Sequence, residues 1–123
     1  MRKLSESELE IMLAIWSTPE AVKSSYVAEC MKEKGWAKTT VLNFLARLVE
    51  KEFLACDSQG KINLYTPLVK EEDYLKLENK RFLGMFYQNS VKNLVAGLYQ
   101  NQEISNQDLE ELRKFLAEKS KEV

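Results

Sequence analysis

Histidine is absent from the 123-residue chain, and cysteine occurs only twice, at Cys30 and Cys56. The lack of histidine removes the most common general base, the Ser-His and Cys-His nucleophile pairs and most zinc sites. Two thiols so far apart in sequence make no redox or metal-binding motif, so we expect both to be small buried side chains in a reducing compartment. The sequence therefore predicts a protein that is not an enzyme and has no metal site and no cofactor.

Long apolar runs are missing as well. The longest, Ile11 to Trp16, has six residues, whereas a membrane-spanning helix needs about 20. The first residues contain no apolar signal region. We therefore expect a cytoplasmic protein without membrane insertion.

Neither sign of charge dominates, because 18 Lys and Arg side chains stand against 19 Asp and Glu side chains and leave a net charge of −1. A nonspecific nucleic-acid binder is usually strongly basic. Any contact with DNA must therefore come from a local surface. The acidic cluster Glu71-Glu72-Asp73 falls in the first turn of a predicted helix, where negative charge complements the helix dipole, so it is interpreted as structural rather than catalytic.

The first helix signal is Ser5-Glu6-Ser7-Glu8, a capping box in which hydroxyl and carboxylate satisfy the free amides of a helix start. The helix is expected to end near Ser17. Apolar residues at helical spacing predict its buried stripe, which consists of Leu9, Met12, Leu13 and Trp16.

Two more helices and a hairpin follow. We expect the helices at about Lys23 to Lys34 and Thr39 to Glu52. Two β-prone runs, Phe53 to Asp57 and Lys61 to Thr66, flank a loop that contains Gly60 and predict a β-hairpin. Three helices followed by a hairpin are typical of a winged helix-turn-helix unit.

The rest of the chain is helical in pattern. Three helices are expected, from Lys70 to about Tyr87, from Ser90 to about Tyr99, and from Ser105 onward. The last begins at Ser105-Asn106-Gln107-Asp108, which resembles a capping box. The predicted fold class is therefore mainly α with a small β-hairpin wing. We expect a winged helix-turn-helix DNA-binding domain at residues 1–68, followed by a helical dimerisation domain at residues 69–123.

The third helix carries the functional signal, because its two faces differ. One arc is apolar and is interpreted as the core face, with Val41, Leu42, Phe44, Leu45, Leu48 and Val49. The opposite arc is polar, and no carboxylate occurs from Lys34 to Val49. In a helix-turn-helix, this second helix of the motif enters the major groove.

Side chains on the polar arc can read DNA. Asn pairs with adenine, Thr offers a hydroxyl and a methyl group, and Lys or Arg reaches guanine or phosphate. Lysines near the start of helix two and next to the hairpin turn are suited to phosphate contact. The predicted DNA-binding residues are Lys38, Thr39, Thr40, Asn43, Arg47, Lys61 and Lys23. An ordinary solvated helix surface is the alternative interpretation of this face.

The C-terminal helices make a thin core on their own and need a partner surface. They either fold back on the first region or pack against the same helices of a second chain. We favour the homodimer, because a protein that reads DNA half-sites gains from two-fold symmetry. The predicted dimerisation residues are Leu75, Phe82, Phe86, Leu94, Val95, Leu98, Leu109, Leu112 and Leu116.

An ordered series of motifs resembles the bacterial penicillinase and methicillin-resistance repressors, the BlaI/MecI family with its copper-responsive CopY relatives. The likeness covers about Leu4 to Glu118. The motifs that carry it are Leu4-Ser5, Glu8-x-Glu10-Ile11-Met12, Trp36-x-x-Thr39-Thr40-Val41-Leu42, Arg47-Leu48-Val49-Glu50-Lys51, Tyr65-Thr66-Pro67-Leu68 and Leu109-Glu110-Glu111-Leu112.

The resemblance implies a homodimeric winged-helix repressor of a palindromic DNA operator. It also implies that Thr40, Asn43 and Arg47 face DNA. In family members paired with a membrane-bound sensor metalloprotease, a cut in the dimerisation region inactivates the repressor. Such a protease is therefore a further partner that the resemblance implies.

The chain departs from the family pattern at four places. One of them is Glu52, which stands where a glycine usually ends the third helix. Gly97-Leu98 occupies the position of the Asn-Phe cleavage pair, Leu42 stands where many relatives have Lys or Arg, and the C-terminal cysteine cluster of the copper-responsive members is missing. Gly97 lies in the middle of a short predicted helix, where glycine costs about 1 kcal/mol relative to Ala. We hypothesise that Gly97 and Leu98 mark the point of regulatory cleavage.

The sequence thus predicts a DNA-binding transcriptional repressor. The alternative from another class is a winged-helix adaptor module that binds proteins without sequence-specific DNA binding.

Overall fold

A computed structural model of the chain describes residues 1–122. Its elements are α1 (Glu6–Trp16), β1 (Val22–Lys23), α2 (Ser24–Cys30), a 3₁₀ turn (Lys32–Lys34), α3 (Lys38–Glu50), β2 (Leu54–Gln59), β3 (Ile62–Pro67), α4 (Glu71–Tyr87), α5 (Val91–Gln100) and α6 (Asn106–Ser120). The predicted fold class is confirmed. The chain divides into two compact units, Met1–Leu75 and the residues from Lys76 onward.

The predicted capping box starts α1. The Ser5 hydroxyl accepts a hydrogen bond from the Glu8 amide at 3.2 Å, and the Glu8 carboxylate accepts one from the Ser5 amide at 2.8 Å. The predicted stripe is correct in part. Met12 is buried and Leu9 and Trp16 are half-buried against the core, but Leu13 is 43% exposed, and the fully buried residues of the helix are Glu8, Ile11, Met12 and Ile15. A prediction from residue polarity places Glu8 outside the core. Its carboxylate can nevertheless be buried, because it accepts the capping hydrogen bond from the Ser5 amide.

The core of the first unit lies where the helices meet the sheet. Its buried apolar residues are Leu4, Ile11, Met12, Ile15, Val22, Val27, Met31, Val41, Leu45, Leu48, Phe53, Leu54, Tyr65 and Tyr74. Tyr74 comes from α4, and its hydroxyl accepts a hydrogen bond from the Leu4 amide at 3.0 Å. Because this side chain is part of the core, the first unit extends into α4.

The predicted hairpin, β2 and β3, is part of a three-stranded antiparallel sheet in the order β1-β3-β2. The short strand β1 was not predicted, and it pairs Val22 with Tyr65 and Lys23 with Leu64. Burial raises the pKa of Tyr65, and its cross-strand partner Cys56 raises it further.

Both cysteines are exposed, so the prediction that they are buried is wrong. Cys30 lies in the last turn of α2, where only Val27 is buried among the residues of that helix. Cys56 lies on β2, whose burial ends after its first residues because the hairpin extends past the core.

The second unit contains most of α4 together with α5 and α6. Ser90 caps α5 by accepting a hydrogen bond from the Asn93 amide, and Ser105 forms the predicted capping box with Asp108. None of the described residues from 76 to 122 is buried. In this unit α5 and α6 therefore have capped N-termini, but the described residues form no closed apolar core.

Candidate nucleic-acid interface

The polar face of α3 is turned outward. Lys38, Thr39, Asn43 and Arg47 are exposed, and Thr40 is half-buried. No acidic side chain interrupts the helix before Glu50. This gives a surface of hydroxyl, amide and cationic groups that would not repel a phosphate backbone.

The opposite face fixes the orientation of α3. Val41, Leu45 and Leu48 are buried in the core, and Phe44 and Val49 are half-buried. The assignment of Leu42 to the core face is wrong, because its side chain is 44% exposed. Leu42 lies at the edge of the apolar arc, and α2 covers it only in part.

An aromatic stack holds one of the predicted DNA-binding residues. The Arg47 guanidinium carbon lies 5.3 Å from the centroid of the Phe44 ring, and the Phe44 and Trp36 rings are 5.4 Å apart. A cation above an aromatic ring is attracted to it, which restricts the conformations of the long arginine side chain. Sequence reasoning missed this role for Trp36 and Phe44, although the i, i+3 spacing of Phe44 and Arg47 is a usable signal.

Lys23 and Lys61 both belong to the sheet region. Lys23 ends β1 and is the N-terminal cap residue of α2, while Lys61 follows Gly60 in the turn between β2 and β3. Gly60 has φ of 66°, the left-handed conformation that glycine adopts at little cost. Both lysine side chains are exposed.

These cations are not neutralised by nearby acids. Lys34, which was not among the predicted DNA-binding residues, is paired with Glu10 at 2.5 Å. Over residues 1–122, by contrast, no carboxylate forms an ion pair with Lys23, Lys38, Arg47 or Lys61. Their charge is therefore available to an external anion.

The second unit contains an apolar groove of about 540 Å³ between α5 and α6. The lining residues are Val91, Lys92, Val95, Ala96, Tyr99, Leu109, Leu112 and Leu116. It brings together four of the predicted dimerisation residues, Val95 from α5 with Leu109, Leu112 and Leu116 from α6.

The other predicted dimerisation residues lie outside this groove. Phe82 and Phe86 contact each other on α4 with ring centroids 5.2 Å apart, and both are exposed. Leu94 and Leu98 are half-buried on α5, and Leu75 is exposed at the end of the first unit.

The predicted cleavage pair lies within an intact helix. Gly97 and Leu98 are half-buried in α5. A Cβ added to Gly97 would lie 3.5 Å from the ring of Tyr87, an ordinary packing distance.

Two absences hold over residues 1–122. No group of three or more His, Cys, Asp or Glu side chains is placed to hold a metal ion. No helix in that range is long and apolar enough to cross a bilayer.

Known proteins share both sequence and fold with this chain. The penicillinase repressor of Bacillus licheniformis is 29% identical over 116 residues, which are 94% of this chain and 91% of the relative. The methicillin resistance regulatory protein MecI of Staphylococcus aureus (strain N315) is 29% identical over 117 residues, 95% of each chain.

A solved structure is similar as well. The solution structure of monomeric Bacillus licheniformis BlaI in complex with the blaP half-operator has a TM-score of 0.51 and 30% sequence identity, and the match covers 59% of this chain and 89% of that one. The sequence profile described as "Penicillinase repressor" matches residues 4–118. The family resemblance is thus confirmed, and the chain belongs to the penicillinase repressor family, a family of transcriptional regulators rather than enzymes.

Proposed function

We propose that this protein represses transcription as a homodimer that binds a palindromic DNA operator. The observation that carries the proposal is the outward, acid-free face of α3, held in place by Val41, Leu45 and Leu48 in the core. A rigid helix with this surface fits the major groove, which is wide enough to admit it. The relative whose solution structure contains a half-operator supports the same mode of binding.

Each predicted side chain has a role on the duplex. Asn43 would pair with adenine, Thr39 and Thr40 would offer hydroxyl and methyl groups, and Arg47 would reach guanine or phosphate from its position on Phe44. Lys38, Lys61 and Lys23 would contact phosphates. Phosphate contacts position the protein and base contacts specify the sequence.

Dimerisation through the helices after residue 68 is supported by the exposed apolar surface of the second unit. An exposed groove lined largely by Val, Leu and Ala side chains is unfavourable in water, and a second copy could cover it with the same groove. A closed two-fold interface uses one patch twice, so it needs no additional complementary surface. It would also present two copies of α3 to two half-sites.

Repression would follow from occupancy of the operator in the cytoplasm, because a bound dimer excludes polymerase from an overlapping promoter. Induction would follow from cleavage at Gly97–Leu98 by a membrane-bound sensor metalloprotease. Glycine lowers the stability of α5 by about 1 kcal/mol relative to Ala, and a protease needs the segment unwound. Loss of the dimer would then weaken binding to the two half-sites together.

Selection of binding sites from random double-stranded DNA with the purified protein tests the function. We expect an enriched palindrome, bound with an affinity that falls steeply as salt rises because phosphate contacts release counterions. A protein-binding adaptor would enrich no sequence. That result would contradict the proposed function.

A further inference from the structure

We propose that Leu42 is a further base-reading residue of α3, and that it recognises the C5-methyl group of thymine in the major groove. The inference rests on the proposed DNA-binding function and adds to it a preference for one chemical group. The apolar pattern of α3 assigns Leu42 to the core, but its side chain is 44% exposed.

The neighbours of Leu42 on the helix surface define a continuous strip. Thr39 is three residues before it and Ala46 is four residues after it, so all three lie on one side of α3. Each is exposed, and each carries at least one methyl group. The strip runs beside Asn43, which is also exposed.

Polar groups border Leu42 on its other side. It lines a cleft of about 140 Å³ between α2 and α3 together with the polar residues Ser24, Ser25 and Lys38, and the other lining residues are Ala28 and Val41. These hydroxyl and ammonium groups are donors of the kind that contact phosphates. Leu42 thus lies between side chains suited to phosphate contact and the Asn43 amide, which is suited to adenine. A side chain in this position would meet the edge of a base.

The chemistry of this surface favours DNA over a protein partner. Protein interfaces depend on large apolar anchors, with aromatic side chains enriched among them. Here one leucine is surrounded by Thr, Ala, Asn and Lys, with no acidic residue on the helix before Glu50. Thymine is the base that offers an apolar group in the major groove, and small apolar side chains contact it there.

The test compares thymine with uracil, which pairs identically but lacks the methyl group. Each thymine of the half-site selected by the wild-type protein is replaced in turn by uracil, and affinity is measured at one salt concentration. Leu42→Ala is the test variant. Leu13→Ala is the matched control, since Leu13 on α1 is 43% exposed and belongs to no proposed contact.

We expect at least one thymine at which uracil weakens wild-type binding about fourfold, the effect of losing one buried methyl group. The same loss is expected for Leu13→Ala but not for Leu42→Ala. Both variants should keep the wild-type circular dichroism spectrum and melting temperature, because both side chains are substantially exposed.

Two results would overturn the inference while leaving the proposed function intact. Uracil could have no effect on wild-type binding at any position, or it could weaken Leu42→Ala as much as wild type. Failure of the wild-type protein to select any DNA sequence is a separate result, which would overturn the proposed function and this inference with it.

Discussion

At the scale of single residues, Arg47 and Asn43 differ in what their loss should change. We expect Arg47→Ala to weaken operator binding by roughly 1 to 3 kcal/mol, because it removes both a cation and a forked donor. Arg47→Lys keeps the charge and should recover only part of that loss. Asn43→Ala should instead relax the preference for one base pair by a similar amount.

Affinities for the selected operator and for single-base variants, measured at fixed salt, separate these effects. Lys70→Ala is the control, because Lys70 is an exposed cation of the first unit outside the predicted contacts. If Arg47→Ala and Asn43→Ala bind like Lys70→Ala, α3 does not contact the DNA.

Glu8 makes the stability of the first unit depend on pH. Burial opposes ionisation of Glu8, but hydrogen bonds from Lys51 and Ser5 outweigh it, so its pKa lies below the ordinary 4.5. The Lys51 Nζ lies 2.6 Å from the Glu8 carboxylate. Because the folded-state pKa is lowered, this contribution is fully present above 4.5 and is lost as pH falls through the folded-state value.

We therefore expect Glu8→Gln to lower the free energy of unfolding by roughly 2 kcal/mol at neutral pH, because its two hydrogen bonds lose their charge assistance. Urea unfolding across a pH series measures this, and the difference from wild type should shrink below 4.5. Glu6→Gln, in the same helical turn but exposed, should cost less than about 1 kcal/mol. Equal effects of the two variants would show that the Glu8–Lys51 pair contributes nothing special.

The burial of two residues, Glu8 and Leu42, could not be predicted from the sequence, and in both cases the reason is a contact with a neighbouring element. Glu8 is buried because a cap and a lysine satisfy it, and Leu42 is exposed because it lies at the boundary of an apolar arc. The exposure of each side chain depends on how the neighbouring elements pack against it, which the local pattern does not show. The polar face itself was predictable, because Asn43 and Arg47 lie opposite a run of core residues in the same helix.

At the scale of elements, the hypothesis of cleavage at Gly97–Leu98 rests on the glycine in the middle of α5. Gly97→Ala should stabilise that helix by up to about 1 kcal/mol, since a Cβ there meets Tyr87 at an ordinary distance of 3.5 Å. Limited proteolysis followed by mass spectrometry should show slower cutting at Gly97–Leu98. Gly84→Ala in α4 is the control for a glycine replacement in another helix. Its added Cβ would lie 3.3 Å from the Asn89 side-chain oxygen, and the change should leave cutting at Gly97–Leu98 unchanged. Initial cuts confined to the hairpin or the termini would contradict the hypothesis.

Element boundaries were predictable where local chemistry sets them. The Ser5 and Ser105 capping boxes and the Gly60 turn were all visible as short motifs. The strand β1 was not, because two residues form a strand only when β3 lies beside them.

At the scale of the whole molecule, the proposed homodimer is expected to form through the groove between α5 and α6. Leu116→Asp should shift the protein towards monomer, because a charge would have to be buried in an apolar interface. Leu116 is 53% exposed, so the folded helix should tolerate the change. Leu68→Asp is the control, since Leu68 is 59% exposed in the first unit. Sedimentation at several concentrations measures the outcome. An unchanged dimer in the Leu116 variant would exclude the groove from the interface.

The proposed pairing of two chains is the feature that the sequence determines least directly. The apolar stripe on α6 predicts that another surface packs against it. The sequence pattern is the same whether that surface belongs to an adjacent helix or to a second copy of the chain. The absence of any buried residue among those described from 76 to 122 favours the second copy.

The number of chains bound to one operator is the decisive measurement for the proposed dimeric repressor. Native mass spectrometry of the purified protein with its selected DNA, together with a footprint, should show two chains per duplex. The two protected half-sites should be about one helical turn, or a multiple of it, apart. One chain bound to a full palindromic site at saturation, or a complex without a symmetric footprint, would contradict binding as a two-fold dimer.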